Sequence, residues 1–417
     1  MLRTAEFCFG GLIAMFLLVG RWSPYRLQGI LHVSFWYEPR FYLTFAIVIV
    51  ALIIMGLRAG GSVPPVIQRF VVWICVLVQL ILLYMIASSL WAPVPEIAIY
   101  KSYELILCCI VITAVAVVLP RLHPEGFRQG FWIAIVAICL FLAVVSVVGQ
   151  LHAARLSALG GGPNAFGRMM ALLCLGCMVI GSQRRRVWVW FWFGVWILGM
   201  MLLVLSGSRG ALLAGAMAVG VAFLLLRTTV PKKAVVLVSC GILAVFVLNV
   251  TEIGQRTIHQ FQSRVVSLTF ERGHASGREL LFEQAVDIGR DNPILGVGIG
   301  GFRAEIGSPY PHNFFLELFA EGGAVAVLFA MALMLVLVYF LWRLRRCPDP
   351  GMVGALVLFF LFAQFSGDLF DSRGIFLTAM IAMLPRYDPV PRDTPALSAV
   401  HVETGAPHVA ANKPAWR

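Results

Sequence analysis

Charge is scarce in this chain. Only 12% of its 417 residues are Asp, Glu, Lys or Arg, about half the fraction of a soluble domain, which excludes a cytosolic enzyme and a nucleic-acid-binding domain. Metal and nucleotide signatures are missing as well. There is no H-E-x-x-H, no D-x-D, no second histidine near His312 and no Walker A sequence, so metal-assisted and nucleotide-driven chemistry have no support. Cysteine is present nine times but not in the pattern of a disulfide scaffold. Eight cysteines lie in apolar runs and Cys347 sits in a basic turn. Cys174-Leu-Gly-Cys177 has the spacing of a redox or metal pair, yet it lies inside an apolar run with no second pair, and core packing is expected instead. The apolar run Phe7 to Gly20, preceded by Arg3, has no small-residue cleavage site before Arg21 and reads as a retained first span.

What is abundant is hydrophobic sequence, 60% of the chain. At about 20 apolar residues per helical crossing, twelve segments qualify: 7–20, 41–57, 70–90, 97–119, 130–149, 164–181, 187–205, 210–226, 234–250, 320–342, 351–367 and 374–385. The expected fold is an all-α polytopic membrane protein of about 12 transmembrane helices with one large periplasmic loop containing short helices. The last segment is the shortest, close to the length of a re-entrant piece. The predicted divisions are helices 1–9 over 1–250, a loop carrying the active-site motifs over 251–319, helices 10–12 over 320–385, and a disordered cytoplasmic tail over 386–417.

The formal net charge is +12, and its distribution reports orientation. The densest basic clusters, Arg184 to Arg186, Arg227 with Lys232 and Lys233, and Arg343 with Arg345 and Arg346, fall on alternate connections. The positive-inside rule puts these connections and both termini in the cytoplasm. The long connection then faces the periplasm. Its first part, Ile253 to Phe270, has apolar residues at roughly helical intervals, as an in-plane helix would.

Four constellations at that face have the makings of a site. Ser206-Gly207-Ser208-Arg209-Gly210 joins two apolar helices and puts an arginine where it needs an interface or a partner. Ser276-Gly277-Arg278-Glu279 opens an amphipathic stretch; Ser276 and Glu279 fit a capping box, with Arg278 in the first turn beside a place where an anion is welcome. Gly296-Val-Gly298-Ile-Gly300-Gly301 matches G-x-G-x-x-G by letter but lacks the βαβ setting of a dinucleotide site, so a tight turn near the membrane is the simpler reading. Pro311-His312-Asn313 precedes the return of the loop into the membrane, and a histidine titrating near about 6.5 can accept a proton from a sugar hydroxyl. Elsewhere, Lys101 and Glu104 lie three apart on one helical face and are read as a pair or as help in holding a phosphate. Asp368 and Asp371, beside Arg373, suggest an interfacial ion pair.

Ser208-Arg209-Gly210, Gly277-Arg278, Asn292-Pro293-Ile294-Leu295-Gly296-Val297-Gly298, Phe302, His312-Asn313 and Glu321-Gly322, in this order and preceded by Pro163-Asn164-Ala165-Phe166-Gly167, resemble the O-antigen ligase family. The resemblance implies a glycosyltransferase of the bacterial inner (cytoplasmic) membrane with its active site facing the periplasm. It would take an undecaprenyl-pyrophosphate-linked glycan as donor and a sugar of the lipid A core as acceptor. Membrane lipids are its surroundings, nucleic acid is not a partner, and neither cofactor nor metal is expected. By the same resemblance Arg209 and Arg278 bind the pyrophosphate and join His312, the general base, as the catalytic residues. The alternatives are an O-antigen polymerase, which extends the lipid-linked glycan, and a membrane transporter.

Overall fold

The computed structural model describes residues 1–19, 39–58, 65–150, 155–159, 161–182, 186–226, 278–343 and 349–384, with residues 249, 255, 258, 259 and 262. All but a tail from Tyr387 belong to one compact unit, Met1–Arg386. Among the described residues the regular structure is entirely helical. We number the helices α1 (Leu2–Leu18), α2 (Pro39–Leu57), α3 (Pro65–Ala87), α4 (Pro95–Val118), α5 (Pro124–Gln150), α6 (Gly162–Ser182), α7 (Arg186–Leu205), α8 (Arg209–Leu225), α9 (Arg278–Asp291), α10 (Gly301–Ile306), α11 (Phe314–Arg343), α12 (Pro350–Ala363) and α13 (Arg373–Ile381).

Eleven of the twelve apolar segments therefore coincide with helices. The ninth, 234–250, lies almost wholly outside the described residues, as do most of the in-plane stretch 253–270, the proposed cap Ser276 and the tail from 386. Seven of the helices are long and apolar enough to cross a membrane. At 1.5 Å per residue, α3 extends about 35 Å against a hydrocarbon core of about 30 Å.

Two helices, α13 and α6, are surrounded by protein along most of their length. All nine residues of α13 are buried, and it packs against α3, α4 and α12. Helix α6 is buried along most of its length, packed by α5, α7, α8 and α12. Helices α1 and α5 cross closely, where a Cβ on Gly10 would strike the Phe127 carbonyl and one on Gly130 the Phe7 carbonyl. Small residues are what allow helix backbones to approach without a hydrophobic driving force. Cys174 and Cys177 are buried and free, as the packing reading expects.

Contacts sort the connections into two opposite ends. At one, buried Glu6 meets Arg58 at 3.7 Å and accepts from the His123 amide at 2.9 Å, while Arg128 reaches Asp349 at 3.5 Å and the Leu384 carbonyl at 2.9 Å. At the other, Ser88 accepts from the Ile299 amide at 2.9 Å and Asn164 donates to Ser366 at 3.4 Å. There too, Arg373 donates to the carbonyls of Phe16, Leu17 and Val19 at 3.1, 3.2 and 2.8 Å. These are carbonyls that the end of α1 would otherwise leave unsatisfied. This is the alternation expected of successive crossings, and it brings 88–97, 155–159, 161–163, 205–210, 278–320 and 364–373 to one end.

Candidate functional site

The turn between α7 and α8 is built by its own small residues. The Ser206 hydroxyl donates to the Leu203 carbonyl at 2.6 Å and accepts from the Ser208 amide at 3.2 Å. Gly207 takes φ +61°, a left-handed conformation that costs other residues about 1–2 kcal/mol. Ser208 then caps α8, accepting from the Ala211 amide at 3.3 Å. Arg209 is thus the first residue of α8, fixed in direction by a turn that has no slack.

Arg278 opens α9 and leans toward the same place. Burial, and then the nearby charges of Arg209 and Arg155, push its guanidinium below the ordinary value. The two arginines singled out from sequence therefore sit close enough to repel, and a third joins them. Arg155 donates from Nε to the Ser206 carbonyl at 3.2 Å and from its terminal nitrogen to the Gly207 carbonyl at 3.3 Å. Sequence reasoning passed over Arg155. The available signal was that it is the one cation between α5 and α6, eight residues before Pro163-Asn164.

His312 lies at the other edge of this region. Asn313 caps α11 through Oδ1, which accepts from the amides of Phe315 and Leu316 at 3.0 and 3.1 Å. The cap leaves His312 just outside the helix, at φ +66°, with Tyr310 edge-on at 4.6 Å between ring centroids. Helix α11 starts at Phe314 rather than near residue 320, because this cap lets the last turn of the loop join the helix. It breaks once, at Gly323 (φ +61°, ψ −162°).

The short turn after α12 gathers the motifs. The Gln364 carbonyl accepts from Asn313 Nδ2 at 3.4 Å. A Cβ on Gly210 would come within 2.9 Å of Phe365 Cβ, and Ser366 holds Asn164. From α6, Gly167 rests on Ser206 and Ala211, where its Cβ would approach each to 2.8 Å. Neighbours of Arg209 and of His312 thus touch adjacent residues, 365 and 364. The turn is itself anchored by Asp371, which meets Arg373 at 3.5 Å and Arg168 of α6 at 3.7 Å. The ion pair read from Asp371 and Arg373 is present, buried rather than interfacial.

The glycine-rich segment is a packing device. Five of its amides are already donated: Gly296 to Asn292, Val297 to Ala320, Gly298 to Glu321 and Gly301 to Gly298 through backbone carbonyls at 2.9–3.0 Å, and Ile299 to Ser88 Oγ. Gly296, Gly298 and Gly300 all have positive φ, and a Cβ on Gly298 would collide with Ala92 and the Ser88 carbonyl at 2.7 Å. The turn wedges the loop between the α3–α4 connection and the break in α11, leaving those amides nothing to offer a phosphate.

Lys101 and Glu104 do not pair with each other. Lys101 reaches across to α11 and donates to Glu317 at 3.1 Å and Glu321 at 2.9 Å, while Glu104 pairs with Arg40 of α2. The i,i+3 spacing on α4 only points both side chains into the bundle, where partners on other helices compete better. Lys101, Glu104, Glu317, Glu321 and Asp368 line a small cavity of about 10 Å³. Among the described residues no group of three or more His, Cys, Asp or Glu is arranged to hold a metal ion.

The stretch from within α7 to within α11, which contains Arg209, Arg278 and His312, matches the family model described as O-antigen ligase. The match runs over residues 193–331, about a third of the chain. Arg155 and Lys101 lie outside the matched stretch in sequence and are brought to it by the fold. A comparison with curated proteins gave no match.

Proposed function

We propose that the protein is an O-antigen ligase, an inner-membrane glycosyltransferase that moves a glycan from undecaprenyl pyrophosphate to a sugar of the lipid A core at the periplasmic face. The observation that carries this reading is the gathering of Arg155, Arg209 and Arg278 at the end of the bundle where His312 also stands, with Arg209, Arg278 and His312 inside the stretch that matches the O-antigen ligase family model.

A sugar on a lipid pyrophosphate is already activated, so the site has to position two substrates, take one proton and stabilise one leaving group. Arg209 and Arg278 bind the pyrophosphate oxygens through their planar forks. His312 takes the proton of the acceptor hydroxyl as its oxygen bonds to the anomeric carbon. The bond from that carbon to the phosphate oxygen breaks, and its electron pair leaves on the pyrophosphate, where the arginines meet the growing charge. Because guanidinium groups supply that charge, the reaction is read as metal-independent.

The test is a lipopolysaccharide gel of a strain lacking the gene, complemented with the wild type or with His312→Ala. A ligase predicts loss of all O-antigen from the core while glycan chains accumulate on the carrier lipid, restored by the wild type and not by the variant. Cores bearing a single repeat unit would identify a polymerase instead. An unchanged ladder would overturn both and favour a transporter.

A further inference from the structure

The geometry points to Arg155 as a positioning residue for Arg209: by donating to the carbonyls of Ser206 and Gly207 it locks the left-handed turn that launches α8, and so sets where the Arg209 guanidinium stands relative to Arg278. This inference rests on the reading that Arg209 and Arg278 hold the donor's pyrophosphate.

Three observations meet at this residue. Its two hydrogen bonds go to consecutive carbonyls, at 3.2 and 3.3 Å, which suits a guanidinium, whose donors form a rigid fork. Its stem crosses Gly207 closely, so that a Cβ there would lie 3.2 Å from Nε and 3.4 Å from Cγ; the glycine is favoured by its φ and leaves room for this approach. The next residue ties the same two segments again, with the Leu156 amide donating to the Leu205 carbonyl at 3.1 Å. The connection before α6 is thereby stitched to the end of α7 at two successive positions, within four residues of Arg209.

Three cations drawn together repel, so the cluster has to be held against its own charge. The latch from Arg155 to two backbone carbonyls contributes to this by fixing one of the three cations in place. Arg155 also adds to the positive field at Arg278, which favours a multiply charged anion over a neutral sugar.

The experiment is a double-mutant cycle on the purified full-length protein in proteoliposomes, with transfer kinetics measured against the lipid-linked donor. Arg155→Ala and Arg155→Lys are each made in the wild-type and Arg209→Ala backgrounds. In the wild-type background Arg155→Ala should lower kcat/KM for the donor about tenfold and Arg155→Lys about threefold, since lysine keeps the charge without the fork. In the Arg209→Ala background either change should cost less than about twofold, because its target is already gone. Equal losses in both backgrounds would overturn the inference and make Arg155 a merely structural residue. Full activity of both Arg155 variants would overturn it too. A silent Arg209→Ala would overturn the pyrophosphate reading itself, and the inference with it. If Arg155→Ala does not fold, the lysine variant alone closes the cycle.

Discussion

Lys101 Nζ lies 2.9 Å from one oxygen of Glu321 and 3.1 Å from the other, a contact that ties α4 to α11 two residues before the break at Gly323. With Glu317 on the previous turn, Lys101 grips the half of α11 that begins at the His312-Asn313 cap. Both glutamates are almost fully buried, with side chains 1% exposed, and Asp368 lines the same cavity.

The partners of this clamp should respond unequally to substitution. Lys101→Met leaves carboxylates buried without their cation, and breaking a buried pair from one side typically costs about 3–5 kcal/mol. Glu317→Gln removes one of several negative charges facing a single lysine and keeps a hydrogen-bond acceptor, so it should cost less than about 1 kcal/mol. Unfolding of the two purified variants in detergent checks the ordering. Equal losses would mean that Lys101 is not what holds this half of α11.

His312 can be removed without removing its turn. Asparagine tolerates the left-handed backbone seen at φ +66° better than alanine does. His312→Asn should therefore lose about 10²–10⁴-fold in transfer rate, the contribution of a general base, while its stability changes by no more than about 0.5 kcal/mol. His312→Ala should lose the same rate and a little more stability. Rates and unfolding midpoints measured together decide it, and near wild-type turnover of either variant would exclude the general-base role.

The glycine turn separates packing from ligand binding. Gly298→Ala meets both a positive φ of 87° and the Ala92 backbone, so folded yield should fall sharply, at a cost of at least about 2 kcal/mol. The protein that does fold should bind inorganic pyrophosphate as the wild type does, measured by competition against the donor. Weakened binding by well-folded Gly298→Ala would restore the turn as an anion cradle.

The helices were legible because lipid imposes a length and a composition that a single sequence displays, as Pro65–Ala87 and Trp188–Leu205 do. Ends were less so. The start of α11 depends on Asn313 capping into a loop whose apolar residues carry no periodic mark of their own. Arg209, Arg278 and His312 stood out as charges in short motifs at one face. Arg155 and the partners of Lys101 did not, because their roles are set by residues 51 to 220 positions away, and no spacing rule reaches that far. The glycine segment misleads in the opposite way: positive φ values and close backbone contact produce the letters of a phosphate loop, while five of its amides are spent within the fold.

Charge and shape can be separated at Arg278. Its guanidinium is held down by burial and by the positive charges of Arg209 and Arg155, so a bound anion relieves repulsion already present in the empty site and raises that depressed value again. Donor binding should therefore weaken as pH rises toward the lowered value. Arg278→Lys preserves the charge but loses the bidentate fork. A hydrogen bond to a charged group contributes about 1.5–3 kcal/mol, so the variant should bind donor about 10–100-fold more weakly. Because the site lies near solvent, raising ionic strength should weaken donor binding in both proteins. The lysine variant should be the more sensitive of the two, since point-charge attraction is then most of what remains. Donor KM measured for wild type and Arg278→Lys across a salt series tests both statements. An unchanged KM at low salt would place Arg278 on the surface, outside the site.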